Sequence, residues 1–297
     1  ITAQGLPLFK EKLDLSFYAQ QRVAEEDKTN LYSLFSNIYL NPANAFIGIN
    51  ASGKTSVLKV LLLTLGIINN EPINHMNTKE ILGNTEKAIL NVYFYSEATK
   101  EICRLETTIA SKNTKVEGTV YRIVSELLWS KKVEEITSRK TMLDFDGKEP
   151  IIVRDEQESF LSDDVSIMIA YNRKTGEHIK AVSMLLFTNI NVLPFSEGIP
   201  AEVISYLDPT IENLFFEEKN EKPIIHLKFK GKEEIVLNNA IELNNYLSSG
   251  TVKGMIAFTL AQEVLKDGGC LIVDEIENHF NKEIVGTLIR FFMDGKL

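Results

Sequence analysis

Eight consecutive residues, Gly48-Ile49-Asn50-Ala51-Ser52-Gly53-Lys54-Thr55, have the composition of a loop that wraps phosphate oxygens. Glycines at both ends let the backbone curl so that successive N–H groups, those of Asn50, Ala51 and Ser52 among them, face inward. A helix beginning near Lys54 and Thr55 and running on through Ser56 adds its positive end. Lys54 then reaches the β- and γ-phosphates as a point charge, and the Thr55 hydroxyl is a ligand for Mg²⁺. Two glycines, a lysine and a Ser/Thr are fixed in this pattern, which a chain of this length meets by accident on the order of once in a hundred. A dinucleotide-binding loop is the wrong description, because Asn50 stands at the middle glycine of G-x-G-x-x-G and Lys54-Thr55 would have no role. The competing description is a strand-to-helix turn that binds nothing.

Two later stretches carry groups of the same chemistry. Leu247-Ser248-Ser249-Gly250-Thr251 precedes Met255, Ile256, Phe258, Leu260, Val264 and Leu265, the spacing of a largely buried helix. Serine and glycine at its start suit either a phosphate contact or an ordinary helix cap. Next comes Gly268-Gly269-Cys270-Leu271-Ile272-Val273-Asp274-Glu275, an apolar strand ending in two acids. Asp274 is the metal-side carboxylate of such a pair, and Glu275 is the base placed where water attacks a γ-phosphate.

In this order the three elements resemble the ABC-type ATPase superfamily. Residues 48–55 match its Walker A loop, Leu247-Ser248-Ser249-Gly250-Thr251 stands where it has Leu-Ser-Gly-Gly-Gln, and the strand ending in Asp274-Glu275 matches Walker B. The Asn-Ala-Ser-Gly-Lys-Thr wording and the Leu-Ser-Ser-Gly-Thr variant are most similar to prokaryotic non-transporter ATPases. These are related to the OLD-family, chromosome-maintenance and recombination-repair heads, and include AAA-type ATPases of phage-defence and abortive-infection systems.

The resemblance implies an α/β P-loop NTPase of ABC-ATPase type, with a mixed central sheet, an antiparallel β subdomain and an inserted helical lid. Residues 1–150 and 248–297 are then the core with its β subdomain, and residues 151–247 the lid. ATP and Mg²⁺ are the implied cofactors, with Lys54 and Glu275 catalytic and Thr55 and Asp274 on the metal. A homodimer is implied in which Ser248 and Gly250 touch the γ-phosphate held by the partner. Gln157 is the candidate for the metal-side glutamine of the lid. Departures are Ser249 and Thr251 within the signature and Asn281 where the superfamily has an aspartate. His279 lies too close to Glu275 to be the switch histidine, so the pattern implies a further strand and its histidine beyond Leu297.

The elements that must position these residues are legible as pattern. Residues 45–49 are apolar and predict the strand leading into the loop, and residues 57–68 predict a buried helix too short to span a bilayer. Upstream, residues 6–18 read as a half-buried edge strand, and residues 24–40, with Leu31, Leu34, Phe35 and Ile38 at helical spacing, as a helix. Residues 66–86 read as irregular surface. Runs at 89–96, 102–110 and 119–129 predict an antiparallel meander, and 131–149 a solvated, mixed-charge connection. Within the lid, residues 224–229 and 234–237 predict a hairpin.

With 297 residues, 44% of them hydrophobic, the chain can bury a sizeable core. Its net charge of −9 argues against broad attraction to nucleic acid or anionic membrane and gives a DNA partner no support. Cys103 and Cys270 sit singly in apolar runs and read as reduced, buried thiols. His75, His178 and His226 have no metal-ligand spacing. A cytoplasmic location is the default in the absence of a visible signal segment. Ile1 at the start suggests that a short piece precedes it.

Three functions are compatible with these features. The first is an ATP-hydrolysing switch whose dimer opens and closes to control an effector. The second is a binding module that ATP stabilises with little turnover, positioning a toxin or nuclease partner. The third, a transporter's nucleotide-binding subunit, lacks any membrane signal of its own.

Overall fold

In a computed structural model, residues 1–115, 118–154, 161–188, 192–193, 199–219 and 222–294 are described. The chain forms two compact units, Ile1–Ile179 and Lys180–Leu297. Residues 151–179 therefore belong with the first unit, and residues 180–247 share the second with residues 248–294.

The first unit contains β1 (Thr2–Gln4), β2 (Leu13–Asp14), β3 (Tyr32–Phe35), β4 (Ile38–Leu40), α1 (Lys54–Ile68) and β5 (Ala88–Ser96). It continues with β6 (Glu101–Thr114), β7 (Gly118–Lys132), α2 (Arg139–Met142), β8 (Ile152–Val153) and α3 (Met168–Thr175). Six strands make one sheet in the order β2-β1-β5-β6-β7-β8, and every pairing in it is antiparallel. The predicted meander is the centre of this sheet, because alternation in β5 to β7 turns Leu90, Val92, Leu105 and Leu128 to one face. Helix α1 packs on that face through Val60, Leu63 and Ile67, and α3 through Met168 and Tyr171. Each such fully buried aliphatic side chain contributes about 1.5–3 kcal/mol.

Several expectations for this unit are corrected. Residues 24–40 are a short 3-10 turn, Lys28–Asn30, followed by the β3–β4 hairpin, not a helix. Left-handed Ser36 (φ 48°) makes the reversal, and Leu34, Phe35 and Ile38 pack on the outer face of the sheet. Residues 6–18 contribute only the two-residue edge strand β2. Residues 66–86 are not all irregular surface: residues 66–68 complete α1, and Ile73, Met76, Ile81 and Leu82 beyond it are buried. Residues 45–49 form no strand, and Ile47 and Ile49 are exposed. The connection after β7 is not fully solvated either. Lys131 is buried over the Phe145 ring and donates to the Thr141 and Asp144 carbonyls, and burial lowers its pKa.

The second unit contains β9 (Ala181–Ser183), α4 (Ala201–Leu207), β10 (Ile211–Lys219), β11 (Lys222–Phe229) and β12 (Glu234–Leu237). Then follow α5 (Ser249–Asp267), β13 (Cys270–Ile272), α6 (Ile276–His279) and α7 (Lys282–Asp294). β10, β11 and β12 form an antiparallel sheet that contains the predicted hairpin. Leu214, Ile225 and Leu227 from this sheet share a core with Met255, Ile256 and Ala261 of α5. β13 pairs in parallel with β9, which is the parallel pairing among the described residues. The expected mixed central sheet is therefore not present among the described residues: the large sheet is antiparallel throughout, and the parallel pair stands apart. Both cysteines are free; Cys103 is buried and Cys270 partly so. No helix among the described residues is long and apolar enough to cross a membrane.

Candidate functional site

The loop at residues 48–55 is carried by the first unit, at the N-terminus of α1. Ala51 (φ 61°) and Gly53 (φ 91°) are both left-handed, and the Ser52 N–H donates to the Ile49 carbonyl at 3.2 Å. Left-handed positions of this kind are what bend successive N–H groups into an anion-binding concavity. A Cβ at Gly48 would fall on the Ser52 hydroxyl, so that side chain could not keep its place. The Lys54 ammonium lies back across the loop, donating to the Gly48 carbonyl at 2.9 Å and the Ile49 carbonyl at 3.4 Å. Asn50, Ala51 and Ser52 are exposed, and Thr55 and Ser56 are half-buried in the first turn of α1. That turn is anchored by the apolar stripe from Leu58 to Ile68, which fixes where the loop presents its donors.

The second unit brings together the other elements. Ser248 is the N-cap of α5: its hydroxyl accepts from the Thr251 N–H at 3.0 Å and meets the Thr251 hydroxyl at 2.8 Å. Its oxygen is thus engaged in closing the helix, while Ser249 beside it is exposed and Gly250 half-buried. α5 packs against β13, whose chain continues through Val273 to Asp274 and Glu275. Asp274 is 8% exposed and its Oδ1 accepts the Glu275 N–H at 3.1 Å. Glu275 itself is exposed and left-handed (φ 50°), a conformation that costs about 1–2 kcal/mol for a residue with a side chain. Two bonds from Asn278 hold it: the amide group donates to Glu275 Oε2 at 3.1 Å and the N–H to the Glu275 carbonyl at 3.0 Å. Strain placed on an exposed acid is a feature of working sites.

The turn into β13 is equally constrained. Gly268 and Gly269 both have positive φ, and a Cβ on Gly269 would fall on the Lys180 carbonyl that accepts the Cys270 N–H. Gly269→Ala is expected to lose about 1–3 kcal/mol and to displace the strand that delivers Asp274. A thermal midpoint unchanged from the wild type would remove this account of the turn.

Sequence reasoning missed two residues here. Asn278 holds Glu275, and Lys253 of α5 is 4% exposed with its ammonium on the Thr188 carbonyl. A lone lysine in the apolar run Val252 to Ala257 was the available signal for the last. Gln157 lies outside the described residues. No group of three His, Cys, Asp or Glu side chains suited to a metal occurs among the described residues. Thr55 in the first unit and Asp274 in the second each carry an oxygen of the hard type that Mg²⁺ takes, and the glycine-bounded loop with its left-handed Ala51 and Gly53 suits a phosphate group.

The fold and these groups define a mixed α/β protein built chiefly on antiparallel sheets, with an exposed glycine-bounded loop at a helix N-terminus. No protein-family model, curated protein or solved structure matches the chain.

Proposed function

We propose that the protein is an ATP-binding, Mg²⁺-dependent ATPase of P-loop type that acts as a switch on an effector. The observation that carries this reading is the exposed loop at residues 48–55, with left-handed Ala51 and Gly53 and with Lys54 opening α1. Lys54, freed from the Gly48 and Ile49 carbonyls, holds phosphate charge, and the loop N–H groups position the β- and γ-phosphates. The Thr55 hydroxyl beside the loop would be a ligand of Mg²⁺, which would supply charge neutralisation for the transferred phosphoryl group, and Asp274 of the second unit carries the carboxylate proposed for the same ion. Glu275 accepts a proton from the attacking water, and its left-handed backbone keeps the carboxylate exposed for that task. Ser248 and Gly250 open a helix whose N-terminus suits the γ-phosphate held by a second copy, giving a head-to-tail homodimer.

Light scattering on Glu275→Gln, with and without ATP and Mg²⁺, tests the switch. A mass that doubles only with nucleotide is the expected result, and a strictly monomeric variant at all nucleotide concentrations rejects the dimer.

One observation favours a second reading, in which bound ATP stabilises a scaffold for a protein partner and is hardly turned over. The Ser248 hydroxyl already caps α5 through Thr251, which leaves it less available to a γ-phosphate. A single-turnover assay separates the two, because the scaffold retains its nucleotide as ATP through a long incubation.

A further inference from the structure

An open cleft of about 600 Å³ lies in the first unit, lined by Asp14, Ser16, Tyr18, Gln20, Arg139 and Lys140. Its volume falls in the range of small-molecule sites, about 300–1,000 Å³. Asp14, Ser16, Tyr18 and Gln20 stand at every second position, the spacing that turns side chains to one side of an extended chain. That chain is fixed along its length, by the pairing of Asp14 with Thr2 and by the Ala19 N–H on the Tyr39 carbonyl. Arg139 and Lys140 belong to α2, which is held independently. Ser138 caps it, and the buried Lys131 donates to the Thr141 and Asp144 carbonyls. One bond joins the two walls, from Arg139 Nη1 to the Gln20 carbonyl. The side chains of Asp14, Ser16, Tyr18, Gln20 and Lys140 make no hydrogen bond or ion pair among the described residues, so the cleft presents polar groups that the fold does not use.

We infer that this cleft binds a phosphorylated sugar, free or as part of a nucleotide. Arg139 has donors left beyond its bond to Gln20, and with the Lys140 ammonium it supplies two positive charges for a phosphate group. Asp14 is the reason for assigning more than an anion. A carboxylate repels a bare phosphate, whereas sugar hydroxyls donate to it. Ser16 and Gln20 carry both donors and acceptors, as hydroxyl recognition requires, and the Tyr18 ring offers an apolar face to the C–H side of a sugar. An apolar ligand does not suit this lining, because it would strip water from the polar groups and give nothing back. The inference stands apart from the ATPase reading, since none of the six residues belongs to the loop at residues 48–55 or to the turn at Asp274 and Glu275.

The test is an NMR titration of the full chain carrying Lys54→Ala, which removes the proposed phosphate contact of the loop so that the cleft is read alone. Ribose 5-phosphate and AMP are the probes, with ribose and inorganic phosphate as their separate parts. Saturable shifts are expected at the amides of Ser16, Tyr18, Arg139 and Lys140, with a Kd of about 1 mM or tighter for ribose 5-phosphate and at least about 10-fold weaker for either part. AMP binding within about threefold of ribose 5-phosphate supports the nucleotide as the source, and AMP binding at least about 10-fold weaker supports the free sugar phosphate. Asp14 and Lys140 are exposed, so their substitution leaves the fold in place. Asp14→Asn should weaken ribose 5-phosphate by at least about 10-fold without weakening inorganic phosphate, and Lys140→Met should weaken both. The inference is overturned if no saturable shift appears up to about 10 mM probe. Inorganic phosphate binding as tightly as ribose 5-phosphate, or Asp14→Asn binding ribose 5-phosphate as the parent does, also overturns it and reduces the cleft to a general anion patch.

Discussion

Lys54→Ala is expected to weaken ATP binding by about 100-fold or more, whereas Glu275→Gln leaves it within about threefold and lowers kcat by about 10²–10⁴. The split follows from where the two side chains stand. Lys54 opens α1 with its ammonium against the Gly48 and Ile49 carbonyls, so it is at the loop mouth before any ligand arrives. A unit charge about 4 Å from a phosphate oxygen near a protein surface gains about 4 kcal/mol, and about 2.7 kcal/mol already corresponds to 100-fold in affinity. In the proposed reading Glu275, held in the left-handed region by Asn278, acts as a base and not as a phosphate ligand. Glutamine keeps its size and its bond from Asn278 but cannot accept the proton of the attacking water. Titration calorimetry with ATP and Mg²⁺ reads the first effect and single-turnover kinetics the second. Equal ATP affinity in the wild type and Lys54→Ala would reject the loop as the nucleotide site. Equal turnover in the wild type and Glu275→Gln would reject the assigned base.

The parts of the fold that were legible in the sequence are those set by local pattern. Alternation gave the meander of β5, β6 and β7 and the hairpin of β11 and β12, and continuous apolar runs gave α1 and α5. The errors arise where the deciding partner is distant. Leu31, Leu34, Phe35 and Ile38 have a spacing that fits a helical stripe, yet the partner surface is the outer face of the large sheet, and a hairpin covers it better. Residues 45–49 have the composition of a strand, but a strand needs a neighbour, and composition does not supply one. The same division runs through the site. Glycine and lysine spacing marks the loop, and an apolar run ending in acids marks Asp274 and Glu275. Lys253 becomes visible only when the Thr188 carbonyl, remote in sequence, takes its ammonium.

Glu126 shows the same dependence on distant partners and carries the largest expected effect on stability. In β7 the register shifts opposite Thr108 and Ile109, where Ser125 and Ile123 pair across the skipped Val124. That bulge turns Glu126 to the core side, beside Leu128, where it is 1% exposed. Its carboxylate accepts from the Thr107 hydroxyl at 2.8 Å, the Ser166 hydroxyl at 2.8 Å and the Ile167 N–H at 2.7 Å, with the Arg154 guanidinium at 3.8 Å. One acid thus fastens the start of α3 to the sheet that carries α1. Glu126→Ala strands a buried N–H and a nearly buried guanidinium together, and should cost about 3–5 kcal/mol. Glu126→Gln should stay within about 1 kcal/mol of the wild type, because its carbonyl can take the Ile167 N–H while both hydroxyls rotate to accept from its amide. Burial raises the pKa of Glu126 from the ordinary 4.5, outweighing the lowering by its hydrogen bonds and by Arg154. A raised folded-state value means that the protonated acid suits the fold better than the carboxylate does. This contribution is fully present below pH 4.5 and is lost as pH rises through the higher folded value. Glu126→Gln cannot ionise, so its stability relative to the wild type should climb across that window and level off above it. Urea midpoints measured at closely spaced pH values give the comparison directly. A constant difference between the two proteins from pH 4 to pH 8 would mean that Glu126 titrates in the folded chain as it does in the unfolded one.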